Sequence, residues 1–349
     1  GVSSAITVGV CGTGECPCRA FPLSVVALLN VPFPGKGASE ITEQLGVAGR
    51  VDNVDLDDLQ MGKFLGAGAE GAVFAAWYNE SPVAVKKTTS VHEVHMHVLA
   101  GSHDNIVSAR GLMLHEGELH VVMEYCPRGT LDTMIHHTMH KKGSGLGWDP
   151  IKVVLPMVRN IARGLLHLHK RSRPILHRDL KPGNIFVSHG LVMKIGDFGM
   201  SRQVDGNRQS SNPERVFRRT FSTGVVGTST YSAPEVLAAS NDDDEVDPQT
   251  MLKADVYSFG VTLWEILMRK RPFDDMDHFE VQMAWMMNPE SMRLPPVKID
   301  SGLSPAGVKV MTTLAALVID CTQHEPALRP TAKEIVSRIR FLNSTDNNV

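Results

Sequence analysis

The sequence predicts an α+β protein of two unequal parts: a small antiparallel β lobe carrying one helix, followed by a larger, mainly helical lobe. Three observations predict it. From "VDLDDLQMGKFLGAG" onward, alternating apolar and small residues run in short stretches separated by turn signals. After Pro127, Arg128 and Gly129 the apolar spacing becomes helical. The composition, 42% hydrophobic and 21% charged over 349 residues, is that of a globular chain able to build a real core.

Residues 1–55 read as a tail or linker. Their most apolar run, "FPLSVVALLNVPFP", is broken by Pro22, Pro32 and Pro34. It falls short of the roughly 20 residues of a membrane span and lacks the basic start of a signal peptide. Upstream targeting or membrane sequence stays an open alternative. Cys11, Cys16 and Cys18 lie close together there, but not at C-x-x-C spacing, and His92 is the first histidine of the chain, which argues against zinc. An odd five cysteines, with Cys126 and Cys321 far from the rest, argues against a disulfide framework and suits a reducing, cytoplasmic compartment. The net charge of −3 makes no case for nucleic acid or an anionic membrane as partner.

The first structured stretch is "LGAGAEGAVFAAW", Leu65 to Trp77, with glycines at 66, 68 and 71. G-x-G-x-x-G fits a dinucleotide-binding turn, a phosphate-covering lid or an ordinary small-residue hairpin. A dinucleotide turn needs a helix directly after its glycines. Here the residues after Gly71 continue as a strand, so the loop joins two strands as a flap, and a nicotinamide-dependent oxidoreductase is set aside. A turn at Asn79–Pro82 and the strand "VAVKK" follow. The helix "TSVHEVHMHVLAG" then places Val91, Val94 and Val98 in register and ends near Gly101. "IVSARGLMLHEGELHVVMEY" gives two more strands joined at Glu116–Gly117. In the second part, "DPIKVVLPMVRNIARGLLHLHK" puts Val154, Ile161, Leu165 and Leu168 on one face of a long helix. Further helices are expected at 254–268, 278–287, 305–321 and 331–342, with the acidic run 241–247 as a solvated loop.

Lys86 stands mid-strand in apolar company, which is costly unless a charge compensates it. Either its stem packs while the ammonium reaches water, or it is a cation aimed at phosphates and held by Glu93, the only acid on the next helix. Asp179, Asn184 and Asp197 bring three oxygen-bearing side chains to two adjacent loops, "ILHRDLKPGNIFV" and "VMKIGDFGMSR". Mg²⁺ demands hard oxygen ligands, which Asn184 and Asp197 can supply. Asp179 is then available to orient a hydroxyl nucleophile and accept its proton, while Lys86 and Lys181 balance phosphoryl charge.

With these residues in order, the chain resembles the eukaryotic protein kinases over roughly residues 57–341. The motifs are the Gly-rich loop at 66–73, "VAVK" at 83–86, "HRDLKPGN" at 177–184, "DFG" at 197–199, "APE" at 233–235, "DVYSFGV" at 255–261 and the late Arg329. The resemblance implies a two-lobed kinase domain over 56–342, with an N-lobe at 56–125, a C-lobe at 126–342 and a tail at 343–349. It implies that Leu65, Gly66, Ala67, Gly68 and Gly71 form the lid over the ATP phosphates. Val73 and Ala84 are then expected above the adenine and Phe186 below it, with Glu124 and Cys126 as the hinge and Met123 as gatekeeper. Lys86 and Glu93 pair, Asp197 and Asn184 hold Mg²⁺, and Asp179 is the base. His177 and Phe198 pack, Asp255 anchors the catalytic loop, and Glu235 pairs with Arg329.

Lys181 and Thr228 match the serine/threonine pattern within what resembles the tyrosine-kinase-like group, so a protein Ser/Thr acceptor is expected, with dual specificity as the alternative. Two departures, Ala69-Glu70 at the loop tip and the displaced position of Glu93, leave a non-catalytic scaffold as the competing reading. Arg178 before the catalytic aspartate is expected to pair with a phosphate on Thr220, Ser222 or Thr223, the alternative being a merely solvated insert. His92, His95 and His97, like "HHTMH" at 136–140, read as polar helix faces rather than metal ligands. Met283, Met286 and Met287 read as packing.

Overall fold

A computed structural model describes residues 49–68, 71–138, 147–204, 229–238, 248–276, 278–287 and 292–342, together with position 43. Outside the described residues lie Cys11, Cys16, Cys18, Ala69, Glu70, Met139, His140, Thr220, Ser222, Thr223, Thr228, the acidic run 241–247, the side chain of Met286 and the 343–349 tail.

In the small lobe, strands β1 (Leu59–Gly68), β2 (Gly71–Tyr78) and β3 (Ser81–Thr88) are followed by helix α1 (Val91–Ala100), then β4 (Ala109–His115) and β5 (Glu118–Glu124). Their sheet order is β4-β5-β3-β2-β1, antiparallel throughout. The two-residue strand Asp52–Asn53 adds to the outer edge of β4 in parallel, and Val54 is buried behind it, so the lobe's sheet begins upstream of residue 56. Both tight hairpins have positive φ at both central residues, Asn79 and Glu80 in one and Glu116 and Gly117 in the other. That geometry matches the right-handed twist of the flanking strands. α1 starts at Ser90, whose hydroxyl accepts from the Glu93 N–H at 3.1 Å, and stops at Gly101, φ +70. Val94 and Val98 pack on Leu112, Leu119 and Val121, while Leu59, Val83, Val85 and Val122 fill a second core with Met113. Each such buried side chain contributes roughly 1.5–3 kcal/mol.

The helical lobe is built on α2 (Leu155–His169), α3 (Pro248–Met268), α4 (His278–Met287), α5 (Pro305–Cys321) and α6 (Ala332–Phe341). α2 is entered through a wide turn, Pro150–Val154, capped by the Asp149 carboxylate, which accepts from the Ile151 and Lys152 N–H groups at 2.8 and 2.7 Å. Its apolar face, with Ile161, Leu165 and Leu168, joins Phe198, Phe259 and Leu314 in one large core, to which Val154 adds from the preceding turn. Short strands β6 (Ile175–Leu176), β7 (Ile185–Val187), β8 (Met193–Ile195) and β9 (Arg202–Gln203) carry the loops between α2 and α3.

Three expectations need correction. His97 is buried on the face of α1 turned into the protein, not on its polar side, and His136 is mostly buried against α3. Met287 is 79% exposed, so it is not packing. Among the described residues, no helix is long and apolar enough to cross a membrane, and Cys126 and Cys321 are free, buried thiols.

Candidate active site

The β1–β2 turn is closed by pairing of Gly68 with Gly71. Gly71 has φ +143, and a Cβ there would run into the Lys87 carbonyl of β3. Glycine is therefore demanded by strand packing as well as by backbone angle. By contrast Gly66 faces open space, and Leu65 is partly exposed. Across β2 and β3, Val73 pairs with Lys86 and Ala75 with Ala84.

Lys86 is compensated. Its Nζ lies 2.5 Å from Glu93 Oε1 and 3.5 Å from Asp197 Oδ1, which joins the two lobes through one ammonium. The other Glu93 oxygen accepts from Thr88 Oγ1 at 2.7 Å. The displacement of Glu93 in the motif thus does not prevent the ion pair. Thr88, two residues beyond Lys86 at the end of β3, was not anticipated from sequence.

Asp197 sits at φ +62, with its carboxylate partly exposed. Phe198 next to it is fully buried, its ring 5.1 Å from that of His97 and 5.4 Å from that of His177. His97 Nε2 lies 2.7 Å from the Val107 carbonyl. Burial pushes the His97 pKa down to about 4, despite that hydrogen bond and with help from the Lys86 charge. The ring is therefore neutral at pH 7, and Nε2–H donates to the carbonyl. Its place four residues after Glu93, on the same helix face, was the available signal.

The loop holding Asp179 is fastened from below by Asp255. The two Asp255 oxygens accept from the backbone N–H groups of His177 and Arg178, each at 2.8 Å, and His169 Nε2 lies 2.9 Å from Oδ2. Burial alone would raise the Asp255 pKa; the His169 hydrogen bond and charge, the His177 charge and the Arg178 N–H outweigh it and lower the value. Arg178 is held at φ +67, and burial together with the Arg202 charge lowers its pKa to about 10. Such a backbone conformation costs on the order of 1–3 kcal/mol and persists only where neighbours enforce it.

Asp179 itself is gripped at both oxygens. Lys181 Nζ lies 2.8 Å from Oδ2 and 3.0 Å from Oδ1, and Asn184 Nδ2 donates to Oδ2 at 2.7 Å and to the Asp179 carbonyl at 2.8 Å. Gly196 keeps the neighbouring strand close: a Cβ would meet Val107 at 2.9 Å and the Phe186 ring at 3.0 Å. At the predicted hinge, the Glu124 N–H donates to the Ser108 carbonyl at 2.9 Å and its carboxylate pairs with Lys194 at 3.0 Å. The Cys126 thiol is pushed up to about 12 by burial and then by the Glu124 charge. Phe186 lies on β7, opposite Lys194 and bridged to Thr130.

Away from these groups, Arg329 is buried and makes two bonds to Glu235, at 2.5 and 2.7 Å, with Tyr257 under its guanidinium. His169 and Lys194 escaped the sequence reading because their partners lie 86 residues and 70 residues away in the chain.

The model of the protein kinase domain matches residues 59–339, four-fifths of the chain. The chain belongs to the protein kinase domain family. It has the two-lobed kinase architecture, an antiparallel-rich β lobe over a helical one. The chain is 30% identical over 324 residues to the serine/threonine-protein kinase CTR1 of Arabidopsis thaliana, covering 90% of this chain and 35% of that protein. It is 27% identical over 308 residues to L-type lectin-domain containing receptor kinase VI.2 of the same plant, covering 84% and 41%. With mitogen-activated protein kinase kinase kinase 13-B of Xenopus laevis it shares 29% over 289 residues, covering 82% and 26%. Serine/threonine-protein kinases are thus among its relatives. The kinase domain spans between about a quarter and two-fifths of the length of these curated relatives.

Proposed function

We propose that this kinase domain transfers the γ-phosphoryl group of ATP to a serine or threonine hydroxyl of a protein, using Mg²⁺. One observation carries the reading: Lys86 on β3 makes ion pairs with Glu93 of α1 and with Asp197 of the other lobe, and the loop of Asp197 is tied to the Asp179–Lys181–Asn184 cluster by the Gly196 N–H, which donates to the Asn184 carbonyl at 3.0 Å. Positioning plus electrostatic stabilisation is what phosphoryl transfer asks of a protein.

Asp179 acts as the base. Lys181 bridges its two oxygens and Asn184 holds Oδ2, which fixes the carboxylate so that it can orient an incoming hydroxyl and take its proton. Lys181 neutralises charge beside it, and the serine/threonine preference rests on this lysine. Lys86, held by Glu93, presents a fixed ammonium to phosphate oxygens. Asn184 and Asp197 suit a hard divalent cation as an amide carbonyl and a carboxylate. Because the Asn184 amide nitrogen is turned to Asp179, its carbonyl oxygen is the atom left for a cation. When bound, Mg²⁺ supplies positive charge that neutralises the phosphates. Leu65, Gly66, Ala67, Gly68 and Gly71 cover that side from the small lobe, while Val73, Ala84, Phe186, Glu124 and Cys126 frame the adenine of ATP.

The test is a phosphotransfer assay with Mg-ATP and a generic basic protein. Wild type is expected to label serine and threonine in the product, and Asp179→Asn to lose on the order of 10²–10⁴ in rate with an unchanged melting temperature. Absence of transfer by wild type, or equal rates for the two proteins, refutes the proposal.

A further inference from the structure

The far end of α3 carries a second polar cluster, apart from the groups assigned above to phosphoryl transfer. Glu265 is fully buried, its Oε1 2.7 Å from His136 Nε2 and its Oε2 accepting from the Tyr231 hydroxyl at 2.7 Å. Asp132 stands four residues before His136 on the helical stretch Leu131–Thr138, so both face α3. The donor atoms of Asp132, His136 and Glu265 all lie within 4.8 Å of one another.

We propose that Asp132, His136 and Glu265 form a binding site for a transition-metal dication, with Zn²⁺ the best chemical fit. One imidazole nitrogen and two carboxylate oxygens are a donor set that zinc accepts, and three protein ligands leave the fourth tetrahedral position to water. Tetrahedral bonds of about 2.0–2.1 Å put donor atoms roughly 3.4 Å apart. The observed separations, from 2.7 Å to within 4.8 Å, bracket that value, so small side-chain rotations close the site. Ligation through Nε2 places the imidazole proton on Nδ1. Tyr231 holds the second Glu265 oxygen, the kind of outer partner that orients a ligating carboxylate.

Access is built in. Side-chain exposure rises from Glu265 at 0% through His136 at 14% to Asp132 at 25%, so the cluster is closed at its base and open at one side. The opposing group is Arg271, whose Nη2 lies 3.0 Å from Asp132 Oδ1. Its side chain is 52% exposed, and an exposed pair of this kind costs little to open. A bound ion ties the turn Ser229–Tyr231, through Tyr231 and Glu265, to the Leu131–Thr138 stretch.

The experiment titrates Zn²⁺ into the metal-stripped full chain in competition with a chromophoric chelator. It compares wild type, Asp132→Asn, His136→Ala and, as control, His137→Ala, which alters the exposed neighbour. Wild type and His137→Ala are expected to bind one equivalent more than His136→Ala, and Asp132→Asn to bind that ion at least roughly tenfold more weakly. Asp132→Asn is nearly isosteric and serves as the deciding variant if His136→Ala melts early without metal. Co²⁺ substituted for Zn²⁺ should give a visible absorption that disappears in the same two variants. Equal stoichiometry and affinity in wild type and Asp132→Asn, or equal loss in His137→Ala, overturns the site.

Discussion

Asp255 and Glu265 are two carboxylates on one helix, ten residues apart, both withdrawn from water at 2% and 0% exposure. Their pKa values nevertheless move in opposite directions. Burial raises both, but at Asp255 it is outweighed by His169, His177 and the Arg178 backbone N–H, and the net shift is downward. At Glu265 burial prevails over the His136 and Tyr231 hydrogen bonds, and the shift is upward. The difference teaches that burial alone does not decide ionisation; the number and kind of donors aimed at the oxygens does. Asp255 is a committed anion that shapes a loop. Glu265 is a reluctant one.

The largest effect expected from breaking this contrast is at Asp255. Replacement by alanine leaves two backbone N–H groups and His169 without their acceptor, and should cost about 3–5 kcal/mol. A thermal melt should fall by roughly 10 °C, and phosphotransfer should fall with it because Arg178 loses its tether. A near-normal melt would mean the anion is not holding the loop. In wild type the Asp255 contribution is present above its unfolded value of 3.8 and fades as pH falls through the lower folded value.

A third buried group sharpens the comparison from the other lobe. His97 has one backbone partner, and burial drives it toward the neutral form, with a pKa of about 4 against 6.5 unfolded. A depressed histidine binds fewer protons folded than unfolded, so its contribution is full above about pH 6.5 and is lost as pH falls toward 4. Denaturant titrations at pH 7 and pH 5 should show wild type losing on the order of 2 kcal/mol more than His97→Leu. Parallel curves would refute this.

The smallest effect is expected at Glu265. Glutamine keeps the size of the side chain, an acceptor for the Tyr231 hydroxyl and a donor for His136 Nε2, so Glu265→Gln should cost less stability than Asp255→Ala, about 1 kcal/mol. The sign follows from the raised value: the wild-type contribution is full below 4.5 and is lost as pH rises through the folded pKa. Stability measured from pH 4 to pH 8 should therefore fall less steeply in the variant. A loss as large as that of Asp255→Ala would show both anions to be equally committed.

Much of this arrangement was legible in the chain. The strands around Gly71 and Lys86 announce themselves by alternation, α2 by its apolar stripe, and the loops at 177–184 and 197–199 by dense polar residues between apolar strands. Glu93 was readable as the only acid on the helix after Lys86, although only the packed helix shows the 2.5 Å contact. Others left little trace. Nothing local marks His169 as a partner of Asp255, and nothing in "HHTMH" separates His136, whose partner Glu265 lies 129 residues further on, from its exposed neighbour His137. Residues 69–70 and 205–228 lie outside the described residues, so the loop tip and the segment with Thr220, Ser222 and Thr223 rest on sequence alone.

Covalent order determined the strands, the helices, the caps at Ser90, Ser304 and Thr331, and which residue types carry oxygen or ammonium in the loops at 177–184 and 197–199 and on the strand of Lys86. These follow from periodicity and near-neighbour hydrogen bonding, which act over a few residues. Tertiary structure alone decided which way the buried groups shift, Asp255 down and Glu265 up, set His97 against Phe198, and shared Lys86 between Glu93 and Asp197. Ionisation depends on desolvation and on donors brought from distant segments, and both exist only once the chain has closed around the group.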